Sequence, residues 1–271
     1  MNTLPKDHRT PHSELMRAHK YDEVIARARQ ELRGNPIHRD AIARLADGLR
    51  ATGEYREAIQ CLERLDALRS EDEAVRRATP GSPGSRLQIA CLNWQSGDWS
   101  KAIEQMHDLV AGILNRSVNY AQDTWGMGQG LLLYYMAISA LQADEVSYAL
   151  KYLRKRAEYA KKLLGPSGAT SWPCPVAWYL LDEVSFEFVI ARAESNQGIR
   201  LNLPPEEAEA RQGLARRGRV SFATFYRGAR SRADGDEATC LACMQECHKC
   251  EGLSNEWYLA GVEILRSNRP V

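Results

Sequence analysis

The densest run of chemically capable side chains is Cys240-Leu241-Ala242-Cys243-Met244-Gln245-Glu246-Cys247-His248-Lys249-Cys250. Two Cys-x-x-Cys pairs and a histidine are the ligand types of structural zinc sites, which enclose the ion tetrahedrally. Here the steps between thiols are three, four and three, so on a helix all four sulfurs fall along one stripe. Sulfurs strung along a single helix do not close around one tetrahedral ion, and a free cysteine packs as a small hydrophobe. The expectation is a buried helix face. A metal held by Cys240, Cys243, Cys247 and Cys250 is the weaker alternative, and no cofactor is expected.

The second concentration is cationic. Between positions 211 and 232 stand Arg211, Arg216, Arg217, Arg219, Arg227, Arg230 and Arg232, with no acid among them and with Phe222, Phe225 and Tyr226 interleaved. Arginines alternating with aromatics can track a phosphate backbone and stack on bases. They can equally meet an acidic protein surface, or form a solvated helix end between the acids at 206–209 and 234–237. Arg216, Arg217, Arg219, Arg227 and Arg230 are the candidate contact residues of this segment, with nucleic acid the less favoured ligand.

Residues for catalysis are sparse. The chain has no Gly-x-x-x-x-Gly-Lys, His-Glu-x-x-His or Gly-x-Ser-x-Gly, and its six histidines show no ligand spacing on any predicted helix. Asp182, Glu183 and Glu187 read as acids on a helix face, and Trp125–Gly130 follows no predicted strand that would make its glycines a nucleotide loop. The chain is expected not to be an enzyme.

The elements that must carry these residues are helices. Hydrophobic residues make up 44% and charged residues 26%, as in an ordinary globular protein, and 36 basic against 35 acidic residues leave a net charge of +1. No global field draws nucleic acid or membrane. The polar start Met1–Glu14 lacks the apolar stretch of a signal peptide, and no run is long enough to span a bilayer. With seven cysteines, an odd number in a long chain, the expectation is reduced thiols in the cytoplasm.

Internal similarity sets the architecture. Gly53-Glu54-Tyr55-Arg56-Glu57-Ala58-Ile59 and Gly97-Asp98-Trp99-Ser100-Lys101-Ala102-Ile103 share one pattern; Asp144-Glu145-Val146-Ser147-Tyr148-Ala149-Leu150 is a weaker copy, and 20–25 is a partial one. Twelve residues before each alanine stands another: Ala46 before Ala58, Ala90 before Ala102, Ala137 before Ala149. Two packed helices need such small side chains where they approach most closely. Tyr21 and Tyr55 are 34 residues apart, and Pro36 closes the first copy.

Over residues 14–165 the chain therefore resembles the tetratricopeptide repeat family, stretched to spacings of 44 and 47 by two inserts. One insert contains Pro80–Ser85 and the other 115–130. The resemblance implies an all-α fold: an α-solenoid of antiparallel helix pairs after a flexible 1–13, with further helices over 166–271 continuing or capping it. Those further helices are expected at Val176–Glu194, from about Pro204 to Arg216 or Gly218, at Asp236–Cys250 and, past Gly252, at Asn255–Arg266.

The resemblance also implies a concave groove lined by the first helix of each pair. Its positions fall here on Asp40, Asp47, Arg50, Leu87, Cys91, Trp94, Gln95, Tyr134, Ile138 and Gln142. The expected function is to hold a cognate protein partner without chemistry, most specifically as a bacterial immunity protein neutralising a secreted toxin. A peptide-recruiting adaptor is one alternative, and a nucleic-acid-binding protein or enzyme working through 211–232 is the other. Homo-oligomerisation stays open.

Overall fold

The computed structural model describes residues 11–71, 83–115, 125–165, 167, 170–195, 205–250 and 254–267. Among them the chain forms thirteen helices and no strand: α1 His12–Arg17, α2 Tyr21–Gly34, α3 Arg39–Thr52, α4 Tyr55–Glu71, α5 Pro83–Ser96, α6 Trp99–Leu114, α7 Trp125–Ser139, α8 Ala143–Leu164, α9 Cys174–Leu180, α10 Phe186–Glu194, α11 Pro205–Ala233, α12 Glu237–Lys249 and α13 Asn255–Ser267. None of these helices is long and apolar enough to cross a membrane. The expectations for 1–10, 80–82, 116–124 and Gly252 lie outside the described residues.

One local device recurs. A residue in the left-handed backbone region ends a helix at His19 (φ 56°), Gly53 (83°), Gly97 (92°), Leu141 (58°), Asp182 (62°) and Gly235 (82°). At each, the residue's N–H bonds the carbonyl three positions back and the next N–H bonds the carbonyl five back. Examples are Glu54 to Leu49 (2.8 Å), Asp98 to Asn93 (2.9 Å), Gln142 to Ala137 (2.8 Å) and Asp236 to Ser231 (2.8 Å). This turn satisfies the last free carbonyls of one helix and aims the chain back along it.

The turn corrects the repeat register. The third copy turns at Leu141, three residues before the position that the Asp144 match implies. The spacings of the first three steps are therefore 34, 44 and 44. A non-glycine residue at this backbone conformation gave the pattern no glycine to align on. Ala46 and Ala58 stand seven before and five after Gly53, as do Ala90 and Ala102 around Gly97, and all four are buried. The same offsets around Gly235 fall on Gly228 and Cys240, a repeat of the device beyond residue 165. A Cβ on Gly228 would lie 2.9 Å from Cys243 Cβ and 3.1 Å from the Cys240 carbonyl oxygen, so only glycine admits this approach.

The chain divides into two compact units, the change falling within α6 between Gln105 and Met106. In the first, α2 packs on α1 and α3, α3 on α4, and α4 on α5, each against its neighbour in sequence. Its core joins Ile25, Leu45, Leu49, Leu62 and Leu92. In the second, α7 pairs with α8 and α11 with α12. The long α11 also packs on α7, α9, α10 and α13, so contacts there are not confined to sequence neighbours.

Three helix boundaries differ from the sequence expectation. Val176–Glu194 is not one helix: Asp182 adopts the left-handed turn, and Ser185 Oγ caps a new helix by accepting from the Phe188 N–H at 3.3 Å. Trp125–Gly130 is not an inter-repeat loop but the first turns of α7, where Tyr152 donates to the Gly126 carbonyl at 2.6 Å. The arginine-rich segment is not a loop. It forms the middle and the C-terminal end of the single helix α11, which runs through Gly218 with acids Glu206 and Glu207 in its first turn and Arg230 and Arg232 in its last, as the helix dipole favours.

Candidate functional site

The cysteines occupy one face of α12, against α11 and α13. Cys240, Cys243 and Cys247 are buried, while Cys250 follows the helix as its half-buried C-cap residue. Burial pushes the Cys240 thiol up to about 11 and that of Cys247 to about 12. Ser221 Oγ donates to the Cys247 carbonyl at 3.1 Å and lies 3.3 Å from its sulfur. His248 stacks on Trp257 with centroids 4.5 Å apart, and the Trp257 indole donates to the His248 carbonyl at 2.8 Å. Among the described residues no group of three or more His, Cys, Asp or Glu is placed to hold a metal ion.

The groove positions scatter in exposure. In the first unit Asp40 is exposed, and Asp47 faces His12 Nε2 at 3.3 Å. Arg50 Nε donates to Gln95 Oε1 at 2.9 Å, which brings together two residues predicted from different repeats. Gln95 borders a shallow concavity beside the Gly53 turn with Tyr55, Arg56 and Gln60. Trp94 and Cys91 are fully buried, and Leu87 is half-buried. In the second unit Tyr134 and Ile138 are buried, and Gln142 is the half-buried residue before α8. The expected aromatic wall of Trp94 and Tyr134 is thus closed. On α7 the cover comes from α8, α9 and α11, and the Trp94 ring of α5 lies 6.1 Å from that of Trp99 at the start of α6.

The arginines of α11 separate into two groups. Toward its C-terminal end they serve the fold. The Arg227 guanidinium lies over the Phe186 ring at 4.8 Å. Arg230 pairs with Asp182 at 2.9 Å and Asp234 at 3.2 Å. Arg232 reaches Glu263 and Ser139 Oγ, both at 2.9 Å, and Glu237 at 3.1 Å. Glu263 is buried and also accepts from the Tyr135 hydroxyl at 2.6 Å and from Arg266 at 3.2 Å. This ionic node ties α7, α11 and α13 together. No sequence spacing pointed to it, since Tyr135 and Glu263 are 128 residues apart. Asp182 and Glu183 are turn residues, not helix-face acids, and they pair with Arg230 and Arg154.

The N-terminal group faces a cleft. Arg216 and Arg217 line a concavity of about 720 Å³ together with Glu194 at the end of α10, Glu246 and Lys249 on α12, and its C-cap Cys250. Lys249 pairs with Glu246 at 2.8 Å. Arg216 and Arg217 make no ion pair or hydrogen bond among the described residues. Arg219, one turn on, donates from Nη2 to the Ser195 carbonyl at 2.9 Å, while its buried Nε has no partner among them. Desolvation and the neighbouring Arg216 both hold the Arg219 guanidinium below its ordinary value. Arg211 sits apart, paired with Glu207 at 2.9 Å. The interleaved aromatics turn inward: Phe225 and Tyr226 are buried, Phe225 packs on Tyr135 at 4.7 Å, and Phe222 meets Trp172 at 5.6 Å. Phe225 and Tyr226 are not available to stack on bases.

No protein-family model matches the chain, and no curated protein does.

Proposed function

We propose that the chain is a non-catalytic scaffold, a tetratricopeptide-like array of helical hairpins, that holds a cognate protein partner. One observation carries this reading. On α11 the fold ion-pairs Arg230 and Arg232 internally, yet presents Arg216 and Arg217 in a cleft where they make no ion pair among the described residues. Three helices wall that cleft, and its volume lies within the range of about 300–1,000 Å³ typical of ligand sites. Arginine, with tryptophan and tyrosine, is enriched at the energetic centre of protein interfaces.

The narrower form, an immunity protein that neutralises a secreted toxin in a bacterial cytoplasm, rests on the all-helical architecture alone. Co-expression with the product of the neighbouring gene tests both forms. The expected outcome is a 1:1 complex on size exclusion, with Kd on the order of nanomolar by calorimetry. Failure of the two chains to coelute at micromolar concentration removes the immunity form. Turnover of a substrate by the isolated chain removes the non-catalytic reading.

A further inference from the structure

We infer that the α10–α11–α12 cleft takes a short acidic peptide segment, with Arg216 and Arg217 as its carboxylate anchors. This rests on the protein-holding reading above and names the chemistry of the partner. The charge inventory of the cleft is unbalanced. Lys249 pairs with Glu246, so among the described lining residues Glu194 is the acid left to face Arg216 and Arg217. Arg219 does not line the cleft, but its guanidinium lies close enough to feel the charge of Arg216. A carboxylate entering the cleft supplies acceptors for Arg216 and Arg217 and offsets the repulsion between Arg216 and Arg219.

Two observations favour an acidic peptide over a nucleic acid. A polyanion needs a continuous basic track, and the one suggested by sequence is broken where Arg230 and Arg232 are ion-paired within the fold. Glu194 on the cleft wall would also repel a chain of consecutive phosphates, whereas a peptide can place one or two carboxylates on the arginines and a neutral amide beside that glutamate.

The test uses three fluorescein-labelled probes in anisotropy titrations: a decapeptide with an Asp-Glu-Asp centre, its Asn-Gln-Asn counterpart, and a single-stranded uridine 20-mer. The acidic peptide is expected to bind at least about tenfold more tightly than the amide peptide. Arg216→Ala/Arg217→Ala should weaken it by about tenfold or more, and Arg211→Ala by less than about twofold. Equal binding of the two peptides, full binding by the double variant, or tighter binding of the uridine strand overturns the inference. Amide chemical shifts of the unsubstituted protein provide a readout free of any folding defect. Peptide addition should move Gly213, Ser221 and Glu246, and changes confined elsewhere overturn the assignment.

The two readings fail separately. A protein partner held equally by the unsubstituted chain and the double variant ends the cleft assignment and leaves the scaffold reading intact. Specific peptide binding without any co-eluting cognate protein does the reverse.

Discussion

Gly128 and Gly130 stand two residues apart on α7 and meet different surroundings. A Cβ at Gly128 would have no atom within 4 Å, whereas one at Gly130 would fall 2.5 Å from Tyr152 Cδ1 and 3.0 Å from Leu153 Cδ2. The Tyr152 ring cannot swing aside cheaply, since it is buried and its hydroxyl is bonded to the Gly126 carbonyl. Alanine favours a helix over glycine by about 1 kcal/mol, so the two substitutions should have opposite signs. Gly128→Ala is expected to stabilise by about 0.5–1 kcal/mol, and Gly130→Ala to destabilise by about 1–3 kcal/mol through overpacking. Urea denaturation followed by helical circular dichroism measures both, and equal shifts would refute the close approach. From the sequence these glycines read as a loop, because glycine spacing alone does not distinguish a turn from a crossing point of two helices. Ala46, Ala58, Ala90 and Ala102 were legible for the opposite reason. Each recurs at a fixed offset from a turn glycine, and fixed offsets are what a repeated helix crossing writes into a sequence.

At the scale of the element, α12 and α11 show what side-chain type conveys and what it leaves out. The three–four–three step of the cysteines marks one helix face, and on α12 the face carrying Cys240, Cys243 and Cys247 is buried. Iodoacetamide followed by mass spectrometry should label Cys61 and Cys250 in the native protein and leave those three until denaturant is added. Rapid native labelling of Cys247 would contradict its burial. The same burial sets a pH dependence. In the fold Cys240 and Cys247 stay protonated up to about 11 and about 12, while in the unfolded chain they ionise near the ordinary value of 9.0. The unfolded state therefore binds fewer protons above that value. This contribution to stability is complete below pH 9 and is lost as pH rises toward 12. Urea midpoints should fall between pH 8 and about pH 10.5, and Cys247→Ala should flatten that slope. On α11 the sequence displayed seven arginines as one basic run. Which of them remain available depends on acids brought from Asp182, Asp234, Glu237 and Glu263, and only the tertiary fold decides that. The candidate cleft was thus half legible: Arg216 and Arg217 stood in the run, but Glu194, Glu246 and Lys249 come from separate helices.

At the scale of the molecule, the two units differ in how far apart in sequence their contacts reach, and their stabilities should respond accordingly. The first unit packs helix on next helix, so losing a core side chain there removes support from adjacent hairpins. Leu49 is fully buried in that core, and Leu49→Ala should cost about 2–5 kcal/mol. In the second unit Glu263 joins Tyr135 of α7 and Arg232 of α11 to α13, so its charge supports helices far apart in sequence. Glu263→Gln leaves the largely buried Arg232 with the more exposed Glu237 as its remaining counter-charge among the described residues and should cost about 3 kcal/mol. Native-state hydrogen exchange separates the two behaviours. Leu49→Ala should lower protection in α2–α4 while α11–α13 exchange as before, because stability in a chain of neighbouring hairpins is lost locally. Glu263→Gln should lower protection in α7, α11 and α13 together and leave α2–α4 unchanged. Loss of protection in all helices upon Leu49→Ala would mean that the chain unfolds as a single cooperative body, and the division inside α6 would then carry no energetic meaning.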